Sequence, residues 1–129
     1  MYSFSQKSLD HMQGIDSRLI RLAQEAIKIT KVDFGIPSTG GRRTAQQQAE
    51  LYDQDLSNAD GIYKMSKHQT GKALDFYAYV DDAASWEKEH LAQVACAFLQ
   101  AANKLNISIR WGGLFKNFTD MPHIELFGD

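Results

Sequence analysis

Cysteine is almost missing from this chain: Cys96 stands alone among 129 residues. One thiol excludes an intramolecular disulfide, so the fold does not depend on oxidation and can be completed in a reducing cytosol. Cys96 falls in an apolar helical segment, where a thiol is expected to be packed and not nucleophilic. Long apolar runs are also missing. None approaches the roughly 18 residues of a membrane helix, and the opening MYSFSQKSLDHMQGIDSR has no apolar signal-peptide core. No stable membrane association is expected, and nothing in the chain exports it. Clustered positive charge is scarce as well: Lys and Arg total 14 against 16 Asp and Glu, and the longest basic block is Arg42-Arg43. Duplex binding needs many grouped cations to neutralise phosphates, so nucleic acid is excluded as a partner.

What remains is an ordinary soluble composition, 43% hydrophobic and 23% charged, long enough to bury a core. No repeat, low-complexity tract or linker divides the chain, so residues 1–129 are expected to form one domain, working as a monomer. After a short first helix, Ile15, Leu19, Leu22, Ala23, Ala26 and Ile27 recur at helical spacing, with Asp16 or Ser17 as N-cap. Val32–Ile36 reads as a strand ended by Pro37. Thr44 and Gln47 form a capping box for a third helix to about Leu56, with Ala45, Ala49, Tyr52 and Leu56 as its buried stripe. Ser57 to Met65 is polar loop.

Leu74–Val80 alternates as one strand, placing Leu74, Phe76, Ala78 and Val80 on one face and Asp75, Tyr77 and Tyr79 on the other. Helical periodicity is clearest from about Ser85 to Leu105, through Leu91, Val94, Ala95, Phe98, Ala101, Ala102 and Leu105. Strands follow at Ile107–Trp111 and Pro122–Leu126. Helices come first and most strands later, which predicts an α+β fold with a small, mainly antiparallel sheet flanked by helices.

Four histidines are present. His11 and His90 sit on helices beside polar neighbours, as surface or helix-end residues. His68 precedes a turn that feeds Asp75 into a strand, and Gly71 can relieve that turn. His123 opens the last strand, on the same face as Glu125. Two imidazoles and a carboxylate are a catalytic zinc's ligand types, leaving one position open to water. From spacing alone, a His and an Asp seven residues apart fit a capped turn or a salt bridge equally well.

The full string is more specific. Ser66-x-His68-x-x-Gly71-x-Ala73-x-Asp75, then Trp111-Gly112-Gly113 and Asp120-x-x-His123-x-Glu125, resembles one family of zinc metallopeptidases. These are the D-alanyl-D-alanine carboxypeptidases and dipeptidases and the L-alanyl-D-glutamate endopeptidases that cut peptidoglycan stem peptides. Gly41-Arg42-Arg43-Thr44, with Gln47 or Gln48 beyond, resembles the family's Gly-x-Arg-Thr segment. Aspartate at 120, where many carboxypeptidases carry Glu, marks the short endopeptidases, many of them phage endolysins.

The resemblance implies a hedgehog/DD-peptidase-like fold and Zn2+ held by His68, Asp75 and His123. It also implies Asp120 as catalytic carboxylate and Arg43 as a cation sharing the oxyanion's charge. Ser66, Glu125 and Trp111 are candidates for touching substrate or supporting a ligand, although a serine here also suits turn formation and Glu125 also suits a plain strand position. The expected substrate is the peptidoglycan stem peptide. Synthesis in a host cytoplasm, with release across the inner membrane by another protein, would suit an endolysin. Two other functions stay open: a D-alanyl-D-alanine carboxypeptidase or dipeptidase, and a non-catalytic zinc-binding module.

Overall fold

Residues 1–54, 61 and 66–128 are described by the computed structural model. Two helices open the chain, α1 over Gln6–His11 and α2 over Ser17–Ile29. Asp16 is the N-cap of α2: its carboxylate accepts the Arg18 N–H at 2.9 Å and is also bound by Lys72 Nζ at 2.7 Å. All six residues of the expected α2 stripe are buried. Strand β1, Asp33–Gly35, follows, then helix α3, Ala45–Asp53, opened by the reciprocal Thr44–Gln47 capping box.

The face that α3 buries differs from the expected one. Ala45 and Tyr52 are exposed, whereas Gln48 is fully buried. The helix turns a polar side chain inward because Gln48 accepts a hydrogen bond from Arg43, so α3 serves the site more than the apolar core. Leu56 and, apart from Gly61, the expected loop from Ser57 to Met65 lie outside the described residues.

The run from Leu74 to Val80 is two strands, β2 over Ala73–Asp75 and β3 over Tyr77–Val80. Alternation continues across the break, since Leu74, Phe76 and Ala78 are all fully buried. At Phe76 the backbone N–H bonds to Pro122 O at 2.9 Å, and the chain changes partners there. Strand β3 pairs with β1 and with β4, Ala83–Ser85, in one antiparallel sheet. The turn joining β3 to β4 has Asp81 and Asp82 at φ +54° and +64°, the backbone of a type I′ hairpin. Ser85 therefore belongs to β4, and helix α4 begins later than expected, at Lys88, running to Leu105.

The second sheet has the order β2-β6-β5, with β5 at Ile109–Trp111 and β6 at His123–Leu126. Its pairs are antiparallel too, so the expected single small sheet is two sheets of three strands sharing one core. Leu19, Leu22 and Ala26 of α2 belong to the same buried cluster as Leu91, Val94, Phe98 and Ala101 of α4. Phe76 stacks on Phe98 with ring centroids 5.4 Å apart, and Phe34 meets both edgewise or tilted. Cys96 is exposed, not packed. It lies one residue past Ala95, and a 100° rotation per residue carries it off the buried stripe.

Candidate metal and catalytic site

Strand register builds the centre of the site. In the β2–β6 ladder, Asp75 stands directly opposite His123. Asp75 Oδ1 lies 3.1 Å from His123 Nδ1 and 3.2 Å from His68 Nε2. His68 arrives from a 3-10 turn over Lys67–Thr70. Ser66 caps that turn, accepting the His68 N–H at 3.2 Å, while Gln69 Oε1 accepts the Ser66 N–H at 2.8 Å. The turn ends at Gly71 with φ +73°, a left-handed conformation that glycine adopts without steric cost. The Ser66 hydroxyl is thus engaged in positioning His68.

The outer nitrogens of both rings are committed elsewhere. His68 Nδ1 is 2.9 Å from Gly41 O, and His123 Nε2 is 2.9 Å from Glu125 Oε1. A carbonyl or a carboxylate can only accept, so each outer nitrogen carries a proton. That leaves the two inner nitrogens as the positions able to ligate, and with the Asp75 oxygen they converge, all within 4.8 Å of one another. Two imidazole nitrogens and a carboxylate oxygen are a donor set that suits a divalent transition metal, which would replace the proton that His123 otherwise shares with Asp75.

Three neighbours hold this constellation in place. Arg43 Nη2 binds Asp75 Oδ2 at 2.8 Å, while its Nε and Nη1 donate to Thr39 O and Gln48 Oε1. The guanidinium is largely buried, and three of its five N–H groups are engaged. Lys67 Nζ binds Glu125 Oε2 at 3.0 Å and donates to Leu126 O at 2.9 Å, fixing the carboxylate that holds His123. Trp111 is half-buried and donates its indole N–H to Met121 O at 2.7 Å. It thereby anchors the loop that carries Asp120.

Asp120 Oδ2 lies 3.7 Å from His123 Nδ1, at the edge of the His-Asp-His cluster, with a third of its side chain exposed. Its backbone rests on Gly112: the Asp120 N–H bonds to Gly112 O at 2.9 Å, and a Cβ at Gly112 would overlap the Asp120 carbonyl. The structure brings His68, Asp75, His123, Asp120 and Arg43 together. Lys67 was not legible as a site residue; Gly41 and Gln48 were marked only as parts of the Gly-x-Arg-Thr resemblance, Gln48 as one of two glutamines, and neither as a hydrogen-bond partner of His68 or Arg43. His11 and His90 stand apart, bonded to Ile36 O and the Ser85 hydroxyl.

In the metal-free protein the charges are strongly coupled. Burial alone would depress His123, but hydrogen bonds to Asp75 and Glu125 push its pKa up to about 9. Burial works against ionised Asp75, yet the neighbouring His68 and His123 hold its carboxyl well below the usual range. Glu125 is drawn down to about 2 because its bonds to His123 and Lys67 outweigh burial. Asp120 shifts the other way: burial and the nearby Asp75 charge raise it.

Known proteins are similar to this chain in sequence and fold. Residues 1–127 match the family model for phage L-alanyl-D-glutamate peptidase. The chain is 31% identical over 115 residues to the L-alanyl-D-glutamate peptidase of Escherichia phage T5, covering 86% of this chain and 80% of that protein. Among solved structures it resembles the Serratia marcescens L-Ala D-Glu endopeptidase ChiX, with a TM-score of 0.84 and 30% identity over 96% of this chain and 90% of ChiX. The fold extends to the vancomycin-resistance D,D-pentapeptidase VanY, solved with Zn(II), at a TM-score of 0.60 and 18% identity over 88% and 73% of the two chains. A matched length running from α1 through β6, and so through every strand that frames the His-Asp-His cluster, places this chain in the phage L-alanyl-D-glutamate peptidase family.

Proposed function

We propose that this chain is a zinc-dependent peptidoglycan endopeptidase that hydrolyses the L-alanyl-D-glutamate amide of stem peptides, acting as a phage endolysin. The observation that carries the reading is the convergence of His68 Nε2, Asp75 Oδ1 and His123 Nδ1 beside the Asp120 carboxyl. His68, Asp75 and His123 would hold zinc. When bound, zinc supplies Lewis acidity toward the scissile carbonyl and makes water a nucleophile near neutral pH.

Asp120 stands at the edge of that cluster, within reach of an attacking water. Its carboxyl is suited to take the water's proton and return it to the leaving amine. Arg43 keeps Asp75 turned so that Oδ1 faces both histidines, and its two remaining N–H groups are available to a developing oxyanion. Glu125 and the Gly41 carbonyl set the direction in which each imidazole presents its inner nitrogen, and the Ser66 cap fixes the turn that carries His68. Trp111 works through the Asp120 loop, as a positioning residue.

Digestion of defined muropeptides, followed by mass spectrometry with and without a chelator, tests the reading. The expected products are an L-alanine carboxyl terminus and a D-glutamate amino terminus, both lost on chelation. Release of terminal D-alanine without that cleavage would establish the carboxypeptidase alternative. Zinc binding with no cleavage of any muropeptide would establish the non-catalytic one. In the same assay, Asp120→Asn is expected to retain zinc while its rate falls by about 10²–10⁴, the usual worth of a positioned acid–base group.

A further inference from the structure

Arg110 lies on the face of the β2-β6-β5 sheet that carries the site. In the β5–β6 pair it stands directly opposite Glu125, while its neighbours Ile109 and Trp111 stand opposite Leu126 and Ile124 of the core. Side chains alternate along a strand, so Arg110 shares its face with Glu125, His123 and Asp75. His123 is the diagonal neighbour of Arg110 across this ladder, and Cβ atoms so placed are about 7–8 Å apart. An arginine side chain is long enough to reach a peptide bound at His123 from there.

Aromatic rings, not acceptors, hold its guanidinium. The guanidinium carbon lies 5.4 Å from the Phe115 ring centroid and 5.1 Å from that of Phe127. Phe115 also meets the His123 ring, with centroids 5.8 Å apart, so one phenyl ring touches both a proposed metal ligand and the arginine. Such contacts place a cation without using up its N–H donors. Glu125, the acid opposite, is buried and already holds His123 Nε2 and Lys67 Nζ. Among the described residues no hydrogen bond or ion pair engages the exposed Arg110 guanidinium. A placed planar cation with free donors, one strand from His123, fits a carboxylate through two parallel hydrogen bonds.

The proposed substrate supplies carboxylates. In an alanyl-glutamate bond the glutamate's amine is acylated, and only one of its two carboxyls can carry the rest of the peptide. The other is a free anion a few bonds from the scissile amide, and the C-terminus of the peptide is a second. Resting on the endopeptidase reading, we infer that Arg110, seated on Phe115 beside His123, binds a free carboxylate of the stem peptide and makes the enzyme prefer an anionic chain after the cleaved bond.

Steady-state cleavage of three peptides by the zinc-loaded enzyme tests this: one with all carboxylates free, one with only the glutamate carboxyl amidated, and one with only the C-terminal carboxyl amidated. For the parent enzyme, one amidation should raise KM roughly tenfold or more, the scale of losing a charged hydrogen-bonded partner, and it identifies the carboxylate bound. Arg110→Gln should show a comparable KM increase on the free peptide and little further response to that amidation. Arg110→Lys should fall between them. Zinc affinity by chelator competition should match the parent in both variants, since Arg110 touches no proposed ligand directly. A parent indifferent to both amidations would overturn the assignment, as would full discrimination retained in Arg110→Gln. So would an equal loss of kcat on all three peptides with weakened zinc binding, which would make Arg110 a support for Phe115 and His123 only. If the parent cleaves none of the peptides, the endopeptidase reading fails and takes the carboxylate site with it, an outcome distinct from cleavage indifferent to Arg110.

Discussion

Glu125 shows how one side chain sets the character of another. It takes the proton-bearing nitrogen of His123 on one oxygen and the Lys67 ammonium on the other. Under the zinc reading, Glu125→Gln should weaken metal affinity by roughly 10–100-fold, the usual consequence of removing a ligand's supporting carboxylate; competition with a calibrated chelator measures it. The raised pKa of His123 makes a second prediction. With His123 protonated in the metal-free protein below about pH 9, metal must displace that proton, so apparent zinc affinity should climb as pH rises toward 9. Stability follows the opposite sign. The folded pKa exceeds the ordinary 6.5, so the stabilisation from His123 is complete below pH 6.5 and is lost as pH rises toward 9. Thermal melts in chelator should therefore show a falling midpoint across that window, and zinc-loaded protein should not follow it.

At the scale of elements, the β3–β4 hairpin was the least legible part of the sequence. Its turn is Asp81-Asp82, not the Asn-Gly or Asp-Gly pair that announces a type I′ turn, and Ala83-Ala84-Ser85 has no strand-like alternation. Helical periodicity beginning near Ser85 took in the last of them, and Ala83 and Ala84 carried no assignment. The hairpin forms because β3 already has a partner in β1, and its free edge takes the short β4. Both turn aspartates pay for positive φ, so Asp82→Gly should stabilise the protein by up to ~1 kcal/mol. Chemical denaturation measures the gain, and muropeptide activity should be unchanged because the turn lies outside the site. Helix α3 is the reverse case: its N-terminus was legible from the capping box, but its buried face was not. An apolar stripe is the ordinary basis for choosing that face, and here Arg43 reverses it by drawing Gln48 inward.

Across the whole molecule, Phe76 joins the core to the chemistry. It is fully buried against Phe34 and Phe98, immediately follows Asp75, and stands where the chain passes from one sheet to the other. Phe76→Ala should cost ~3–5 kcal/mol by leaving a cavity in the aromatic cluster. The same variant should lose muropeptide activity at temperatures where it remains folded, because relaxation at the cavity shifts Asp75. Unfolding followed by circular dichroism, with rates measured well below the midpoint, separates the two effects.

Much of the core was set by local pattern: the α2 and α4 stripes and the alternation from Leu74 through Ala78 are periodic, and periodicity alone fixes which face turns inward. The residues that meet at the site were legible only as spaced motifs resembling a family, because His68, Asp75 and His123 are brought together by strand pairing across 48 residues. Tertiary structure alone decided how each imidazole is turned, which groups support it, and that one alternating run serves two sheets. Those features depend on groups distant in the chain, such as Gly41 O for His68, Lys67 for Glu125 and Pro122 O for Phe76, and no local spacing carries such long-range hydrogen bonds; the Glu125–His123 bond, between neighbours on one strand face, is the local exception.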